Sequence, residues 1–371
     1  MAFYQSIPYE DIDEEYVKVN KQQLLQILKK NYELEVKLSE MSKLKNENHN
    51  LKEQLQNFIP RRRVRRVYKM LVKYYLELLG EIPEFLEKYL KSKALLRLKK
   101  VGYFCGMDYA SKDIYDFSEY ISRYDHSLTV ALLTYKLTKN KKMTIASLFH
   151  DIATPCFSHV IDYMNEDYEN QESTEEYTEY IIKQDKYLLE CFEMDKINID
   201  DVVNFKRYPI VDNDRPKVCA DRIDGVILTG IGWTKEIAKE DILNIVNDLT
   251  IFKNEYNEKE IGFKTKEIAQ KVLDVSENID RYCHSYEDNY MMMLLAKITK
   301  LAIDKKYIEY EDLYIYDEEK MFKKFKSKND KELNKLLNKF ENIKLNDIEI
   351  IDLTVKVRNL NPLVNGERLK K

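Results

Sequence analysis

Two histidines and two aspartates form the most informative pattern in this sequence of 371 residues. His150 and Asp151 are adjacent, His126 lies upstream of them, and Asp221 lies far downstream. Imidazole and carboxylate groups are the ligands with which proteins hold divalent cations such as Mn²⁺, Fe²⁺, Zn²⁺ or Mg²⁺. A cation bound in this way lowers the pKa of water and makes a nucleophile near neutral pH. The four residues are therefore candidate ligands for a divalent cation that could activate water.

Each of the four candidate ligands lies within, or at the edge of, a segment with apolar residues at helical spacing. The apolar residues around the three segments are Leu128, Ala131, Leu132 and Tyr135; Ile145, Leu148, Phe149 and Ile152; and Cys219, Ile223 and Val226. Stripes of this kind face a common core. We therefore predict three packed helices that bring the four ligands together.

The strings around these residues resemble motifs of the HD superfamily of metal-dependent phosphohydrolases. Residues 122–128 (Ser-Arg-Tyr-Asp-His-Ser-Leu) are similar to the Asn-Arg-Phe-Glu-His-Ser-Leu element of its deoxynucleoside triphosphate triphosphohydrolase branch. Residues 150–159 resemble that branch's His-Asp-Leu-Gly-His-Gly-Pro-Phe-Ser-His, and residues 220–224 resemble its Ala-Asp-Arg-Ile-Asp-Tyr helix. The order of elements also fits from about Arg97 to about Leu345, which is roughly two thirds of the chain.

The resemblance implies one divalent metal ion, Mn, Fe, Mg or Zn, that activates water for attack on a phosphorus atom. The metal ligands that it implies are His126, His150, Asp151 and Asp221. The expected activity is release of inorganic triphosphate from a deoxynucleoside triphosphate. The alternatives are an HD-type nucleoside monophosphate phosphatase and a degenerate HD module that binds a nucleotide and regulates. A scaffold with no ligand is disfavoured by the complete set of four ligands.

Charged residues beside the metal motifs are candidates for binding the substrate. A guanidinium can clamp phosphate oxygens in a bidentate fork, and Arg123, three residues before His126, lies on the same edge of the predicted helix. An ion pair of Arg123 with Asp125 or another acid is the alternative. Arg222 and Asp224, in the third motif, are also predicted to contact the substrate.

Two positions depart from the triphosphohydrolase pattern. Where that branch has histidines of its proton-transfer apparatus, this chain has Thr154 and Gln171, and neither side chain titrates near pH 7. The nucleoside monophosphatases carry a glutamate at the position of Thr154, so the chain does not match them there either. We predict that Glu172 or His159 manages the proton. The alternatives are a surface charge at a helix N-terminus for Glu172 and a packing role for His159.

Composition predicts an all-α fold. With 44% hydrophobic residues, the chain has enough apolar side chains to form a core. With only 8 Gly and 7 Pro, it has few residues that break helices. We expect a helical HD-domain bundle at residues 61–330, an N-terminal coiled-coil segment at 1–60, and a helical or extended C-terminal tail at 331–371. Residues 235–260 and 319–344 are predicted to be charged peripheral helices, and residues 350–357 a short strand.

The first sixty residues carry apolar side chains at coiled-coil spacing. The predicted seam consists of Ile27, Leu34, Leu38, Met41, Leu44, Leu51, Leu55 and Phe58. We expect residues 20–58 to form a homo-oligomer; the alternative is a long helix folded back onto the catalytic domain. A basic cluster follows Pro60 and comprises Arg61, Arg62, Arg63, Arg65 and Arg66. It is a candidate site for a regulatory nucleotide, and the alternatives are nucleic acid binding and a solvated linker.

Charge, cysteine usage and hydropathy predict the setting of the protein. With a net charge of -4, the chain lacks the excess of basic residues that is typical of nucleic-acid-binding proteins. The 5 cysteines are scattered and odd in number, which favours a reducing compartment. No secretion signal and no apolar run of transmembrane length is present in the sequence. We therefore expect a cytoplasmic protein that does not bind membranes.

Overall fold

A computed structural model describes residues 71–169, 177–351 and 353–369. Three of the sequence-based predictions lie outside these residues. They are the coiled coil at 20–58, the basic cluster at 61–66, and the pair Gln171 and Glu172. The three metal-site segments lie within the described part of the chain.

Helices make up most of the described structure. Residues 71–79 are helical. The α-helices that follow are α1 (Glu84–Glu87), α2 (Lys93–Arg97), α3 (Arg123–Thr138), α4 (Lys141–Phe149), α5 (Val160–Met164), α6 (Thr178–Gln184), α7 (Lys186–Asp195), α8 (Ile199–Val203), α9 (Ala220–Gly232), α10 (Lys239–Asp248), α11 (Lys266–Cys283), α12 (Tyr286–Asp304), α13 (Asp312–Ile315), α14 (Glu318–Lys326) and α15 (Lys331–Asn342). Short 3-10 helices lie at Tyr89–Lys91, Leu98–Lys100, Met107–Tyr109, Phe205–Arg207 and Leu345–Asp347.

Helix α3 is the central helix of the first core. It begins at a capping box in which the Ser122 and Asp125 side chains each accept a hydrogen bond from the other residue's backbone N–H. It ends where Lys139 takes a left-handed conformation, and the Asn140 side chain then caps α4. The two helices therefore form a tight antiparallel pair. Helix α3 also packs against α9, and its buried residues, which include Val130 and Leu133, lie around much of its circumference.

A second core forms around α12, which packs against α5 and α15. Its aromatic residues include Phe157, Phe322 and Phe325, whose rings contact one another edge-on or tilted. Helix α15 carries an apolar stripe of Leu333, Leu337 and Phe340, all buried. The predicted charged helix at 319–344 thus corresponds to α14 and α15, with one face of each helix in this core.

A small four-stranded sheet shows that the fold is not strictly all-α. Strands β1 (Leu249–Lys253) and β2 (Lys259–Phe263) form an antiparallel hairpin. β2 pairs in parallel with β3 (Leu363–Val364), which pairs antiparallel with β4 (Glu367–Arg368). The prediction of charged helical structure over 235–260 is correct only for α10, since the residues before Lys239 and after Asp248 are not helical.

The hairpin forms because a turn separates two runs that each have an apolar face. The Asn254 backbone N–H donates to the carbonyl of Glu258 at 2.9 Å, and Asn257 adopts a left-handed φ of 62°. Beneath the sheet, the fully buried carboxylate of Glu260 accepts two hydrogen bonds from the Arg368 guanidinium, at 2.6 and 2.8 Å. This bidentate pair ties β4 to β2.

Residues 353–362, called here the C-terminal strap, contain neither helix nor strand. The predicted strand at 350–357 was therefore wrong in its described residues. The strap lies against other segments through single backbone contacts, and not through a continuous ladder, since the Lys356 N–H donates to the Tyr168 carbonyl and the Asn361 N–H donates to the Pro216 carbonyl. Among the described helices, none combines the length and apolar character needed to cross a bilayer.

Candidate metal centre

Three helix ends deliver the predicted metal ligands to one place. His126 lies in the first turn of α3, His150 follows the last residue of α4 and precedes Asp151, and Asp221 lies in the first turn of α9. Because α3 packs against both α4 and α9, these ends meet. The convergence expected from the three apolar stripes is present in the structure.

The ligand atoms are spaced as a single cation requires. Nε2 of His126 lies 3.0 Å from Oδ1 of Asp221, and Nε2 of His150 lies 3.5 Å from the same oxygen. The carboxylate of Asp151 lies 3.8 Å from Nε2 of each histidine. Metal bonds of about 2.0–2.2 Å place neighbouring ligand atoms about 3–4 Å apart. His126, His150 and Asp221 therefore fit a divalent ion between them, and the Asp151 carboxylate lies at the edge of this cluster.

Hydrogen bonds to the far side of each imidazole orient it toward the cluster. Nδ1 of His126 lies 2.7 Å from Oδ2 of Asp224, and Nδ1 of His150 lies 2.7 Å from the Ser147 carbonyl. A carboxylate or carbonyl behind Nδ1 fixes the tautomer that leaves Nε2 as a lone-pair donor. Nε2 of His150 is buried without a hydrogen-bond partner among the described residues. Such an atom suits a ligand whose partner is a metal.

Electrostatics keep the acids of the cluster ionised. Burial works to raise the pKa of Asp151, but His150 and Arg123 outweigh it and hold that pKa at about 2. Burial works to lower the pKa of His126, but its hydrogen bonds to Asp221 and Asp224 raise the pKa to about 10. The negative field that attracts a proton to His126 also attracts a cation, which displaces that proton on binding.

Arg123 forms the ion pair that the sequence left as an alternative. Its Nη1 donates to Oδ2 of Asp151 at 2.9 Å, and its guanidinium lies 4.8 Å from the ring centroid of Tyr103. Arg123 also lines the cavity above the cluster, and its Nε has no hydrogen-bond partner among the described residues. It therefore orients a metal ligand, and its role as a phosphate clamp stays a prediction.

Arg222 and Asp224 have structural partners. The carboxylate of Asp224 is fully buried beneath His126 and is not part of the cavity wall, so its position fits orienting the ring and not the predicted substrate contact. Arg222 lines the cavity, but its guanidinium binds Asp212 at 3.0 Å and the Lys217 carbonyl at 2.8 Å. Arg222 also contacts Asn213 and thereby holds the loop that precedes α9.

Of the two candidates for proton transfer, His159 is the one within the described residues. Its Nδ1 lies 2.9 Å from Oδ2 of Asp162, and the side chain lines the cavity. Burial lowers the pKa of His159 although Asp162 works to raise it. Thr154 is fully buried and absent from the described cavity wall, and its carbonyl accepts a hydrogen bond from Arg97 at 2.6 Å. Thr154 thus has no direct path to a substrate.

A cavity of about 890 Å³ extends from the metal cluster. This is the size of a small-molecule site. One set of lining residues is aromatic and comprises Tyr103, Phe104, Tyr115, Phe117, Tyr163, Phe205 and Trp233. Another set is basic and comprises Lys206, Arg207, Arg215, Lys217, Lys356 and Arg358, together with Arg123 and Arg222. The cavity therefore offers surfaces for both an aromatic group and anions.

Sequence reasoning missed most of these lining residues. Lys206, Arg215, Lys356 and Arg358 lie outside the three motifs, and nothing but their charge distinguishes them among 61 Lys and Arg. Asp288 was missed as well, although it lies in the cavity wall and accepts a hydrogen bond from Tyr115 at 2.6 Å. Only the fold brings these residues to the metal cluster.

Comparison with known proteins identifies the region that carries the metal cluster. The family model of the HD domain matches residues 123–226, which include all four candidate ligands. The chain is also 31% identical over 147 residues to the uncharacterized protein YdhJ of Bacillus subtilis (strain 168). The similar region is 38% of this chain and 41% of that relative, so the chain spans about two fifths of the relative's length. HD domains are typically metal-dependent hydrolases.

Proposed function

We propose that the protein is a metal-dependent phosphohydrolase that releases inorganic triphosphate from a deoxynucleoside triphosphate. The observation that carries the proposal is the meeting of two imidazole Nε2 atoms with Asp151 and Asp221 at a cavity that has basic and aromatic walls. The resemblance at three separate motifs supports the triphosphohydrolase branch over the monophosphatases.

The residues of the cluster would hold the cation through the two Nε2 atoms and the two carboxylates. A bound ion would act as a Lewis acid and would lower the pKa of water toward neutrality. Arg123 fixes the carboxylate of Asp151 through the 2.9 Å hydrogen bond, and Asp224 fixes the ring of His126. These contacts hold the ligand atoms in place before any substrate arrives.

His159 is suited to move the proton. Its Nδ1 is held by Asp162, so Nε2 is the ring atom left for the cavity. Because burial lowers its pKa, the ring is neutral at pH 7 and accepts a proton at Nε2. The protonated ring then donates that proton to the leaving oxygen. Glu172, outside the described residues, is the alternative group for this step.

The cavity suits a nucleotide because its two kinds of wall match the two ends of that molecule. Phe104 and Phe117 lie face to face with ring centroids 4.4 Å apart, and Trp233 contacts both rings edge-on. Aromatic faces stack on sugars and bases, while fixed guanidinium and ammonium groups stabilise the charge on phosphate oxygens. The size of about 890 Å³ admits one nucleotide.

Product analysis tests the proposal. Full-length protein is incubated with deoxynucleoside mono-, di- and triphosphates in the presence of Mn²⁺, Mg²⁺ or Fe²⁺, and the products are separated by ion chromatography. The proposal expects slow, metal-dependent release of triphosphate, since the absence of the branch's usual histidine at Gln171 lowers the rate by about 10²–10⁴-fold. Orthophosphate from a monophosphate, with no triphosphate from any nucleotide, would assign the protein to the monophosphatases instead.

A degenerate HD module that binds nucleotides without hydrolysis is the second candidate. The observation that favours it is the residue type at position 154, where a threonine that does not titrate near pH 7 stands in place of the histidine of the triphosphohydrolases. Nucleotide binding without turnover under every metal condition would support this candidate.

Assembly and regulation are part of the proposal. We infer that residues 20–58 join chains into a homo-oligomer and that the basic cluster at 61–66 binds a regulatory nucleotide. Their support is the apolar seam and the run of arginines in the sequence. We also propose the domain division at residues 60 and 330, and a cytoplasmic location, which the scattered and odd-numbered cysteines support.

A further inference from the structure

The C-terminal strap reaches the candidate active site from the far end of the chain. Its backbone is fixed at three separate places. The Lys356 N–H donates to the Tyr168 carbonyl at 3.0 Å, the Arg358 N–H donates to Oδ1 of Asp280 at 2.6 Å, and the Asn361 N–H donates to the Pro216 carbonyl at 2.9 Å. β3 follows the strap directly and pairs with β2. These anchors hold the strap in one position against the helical bundle.

Three strap residues line the cavity that contains the metal cluster, namely Lys356, Arg358 and Leu360. Two of the three are cationic. Nη1 of Arg358 donates to the Lys356 backbone carbonyl at 3.0 Å, which holds the Arg358 guanidinium against the strap. The strap therefore supplies a fixed pair of positive groups to a site whose metal ligands come from residues 126–221.

The loop before α9 adds cations to the same wall. Arg215 lines the cavity, and its Nη1 donates to the carbonyl of the strap residue Asn359 at 3.4 Å. Lys206, from the 3-10 helix at Phe205–Arg207, lines the cavity as well. Residues from two distant parts of the sequence thus place four cationic side chains in one cavity wall.

The cations in this wall repel one another, although Cys283, Tyr163 and Asp288 outweigh the effect of burial and raise the pKa of Arg358. The pKa of Lys356 is lowered by burial, then by Arg215, Arg358 and Lys206. The pKa of Arg215 is lowered by burial, then by Arg222 and Arg358. Like charges that a fold holds together in a partly buried site attract an anion strongly, because the anion relieves the repulsion. Several cations along one wall suit an anion with several charged groups in a row.

We propose that the C-terminal strap is a polyphosphate-binding element, in which Lys356 and Arg358, together with Arg215, hold the phosphate chain of the ligand. The strap thereby selects compounds with several linked phosphates over those with one. This inference rests on the proposed function, because that function makes a phosphate compound the occupant of the cavity. It assigns a role to a segment outside the three motifs and outside the matched HD region.

Binding to metal-free, full-length protein tests the inference without any need for turnover. Isothermal titration calorimetry measures the affinity for inorganic triphosphate and for orthophosphate. The variants are Lys356→Gln, Arg358→Gln and the double substitution, with Arg358→Lys to restore the charge. Lys344→Gln is the matched control, since Lys344 is exposed, lies outside the cavity wall, and pairs with Asp113 at 3.3 Å. Circular dichroism establishes that each variant is folded.

The expected result is a rise in the triphosphate dissociation constant on the order of 10-fold for each lost cation, as for hydrogen bonds to charged groups. Arg358→Lys should recover part of that affinity, and Lys344→Gln should have no effect. Orthophosphate affinity should fall much less than triphosphate affinity.

An unchanged triphosphate affinity in the folded double variant would overturn the inference. Equal losses for triphosphate and orthophosphate would also overturn it, because the strap would then not distinguish phosphate chains. Failure of the proposed function gives a different result, namely no hydrolysis by the wild-type protein while the strap variants still lose triphosphate affinity.

Discussion

Replacing Asp224 by asparagine should weaken metal binding while the protein stays folded. Asp224 is fully buried, and its Oδ2 lies 2.7 Å from Nδ1 of His126. Asparagine has nearly the same shape and keeps an oxygen that can accept the hydrogen bond from Nδ1. It lacks the negative charge that makes the imidazole a more basic ligand and fixes its tautomer. The variant therefore changes the electrostatics behind His126 and not the packing.

The expected size of the effect follows from the place of Asp224 directly behind a metal ligand. Loss of such a partner raises the metal dissociation constant by about 10–100-fold, which corresponds to about 1.4–2.8 kcal/mol. Burial raises the pKa of Asp224 because the folded protein removes its carboxylate from water, which costs free energy. A neutral amide at this position has a smaller desolvation cost. The free energy of unfolding should therefore change by no more than about 1–3 kcal/mol.

A second buried histidine–aspartate pair provides the control. Asp162 is also fully buried, and its Oδ2 lies 2.9 Å from Nδ1 of His159, which is outside the metal cluster. Titration of metal-free protein with Mn²⁺ against a competing chelator measures the dissociation constant of each variant. Asp224→Asn should weaken binding, and Asp162→Asn should not. Equal affinities of Asp224→Asn and wild type, or equal losses in both variants, would refute the role given to Asp224.

Three further predictions concern stability and assembly. Burial, followed by Asp108, raises the pKa of Glu318 to about 8 from an ordinary value of 4.5, so the wild-type protein should lose stability as the pH rises from about 4.5 to about 8. The variant Glu318→Gln should therefore melt at a higher temperature than wild type at pH 8 and at a similar temperature near pH 4. Identical melting curves at pH 8 would contradict this. Thr154→His should lower the free energy of unfolding by about 1–3 kcal/mol without raising the hydrolysis rate, because Thr154 is fully buried; a faster folded variant would show that the position reaches the substrate. Deletion of residues 1–60 should reduce the number of chains per particle in light scattering and leave a helical protein, and an unchanged number would assign the apolar seam to packing within one chain.

The meeting of the candidate ligands could be predicted from the sequence because short-range patterns specify it. His126, His150, Asp151 and Asp221 each lie next to an apolar stripe of helical period, and such stripes pack together. The capping residues Ser122 and Asp125 are also local signals, and they fix where the helix that carries His126 begins.

The walls of the site could not be predicted because they depend on contacts between distant segments. Lys356 and Arg358 follow His150 by about two hundred residues, and no periodicity connects a strap without regular structure to a helical bundle. The hairpin of β1 and β2 was missed for a related reason. Each strand has five residues and lies beside charged helices, and a run of that length has little power to distinguish strand from helix.

The partners of the charged residues near the candidate cluster were predicted less well than the convergence of His126, His150 and Asp221. A sequence shows that Arg123 and Asp224 lie at the right helical positions, but it does not show which partner each one takes. In the structure Arg123 binds Asp151 and Asp224 binds His126, so both support ligands. Burial decided this outcome, since a charged group that is removed from water requires a partner.

The metal content of the purified protein tests the central claim most directly. Wild type and the variants His150→Ala and His284→Ala are loaded with Mn²⁺, desalted and measured by elemental analysis. His284 is the control, because its Nδ1 lies 2.7 Å from the Asp280 carbonyl and the residue is outside the cluster. We predict about one ion per chain in wild type and in His284→Ala, and a loss of most of that metal in His150→Ala. A wild-type protein without metal, or equal metal in the two histidine variants, would contradict the account.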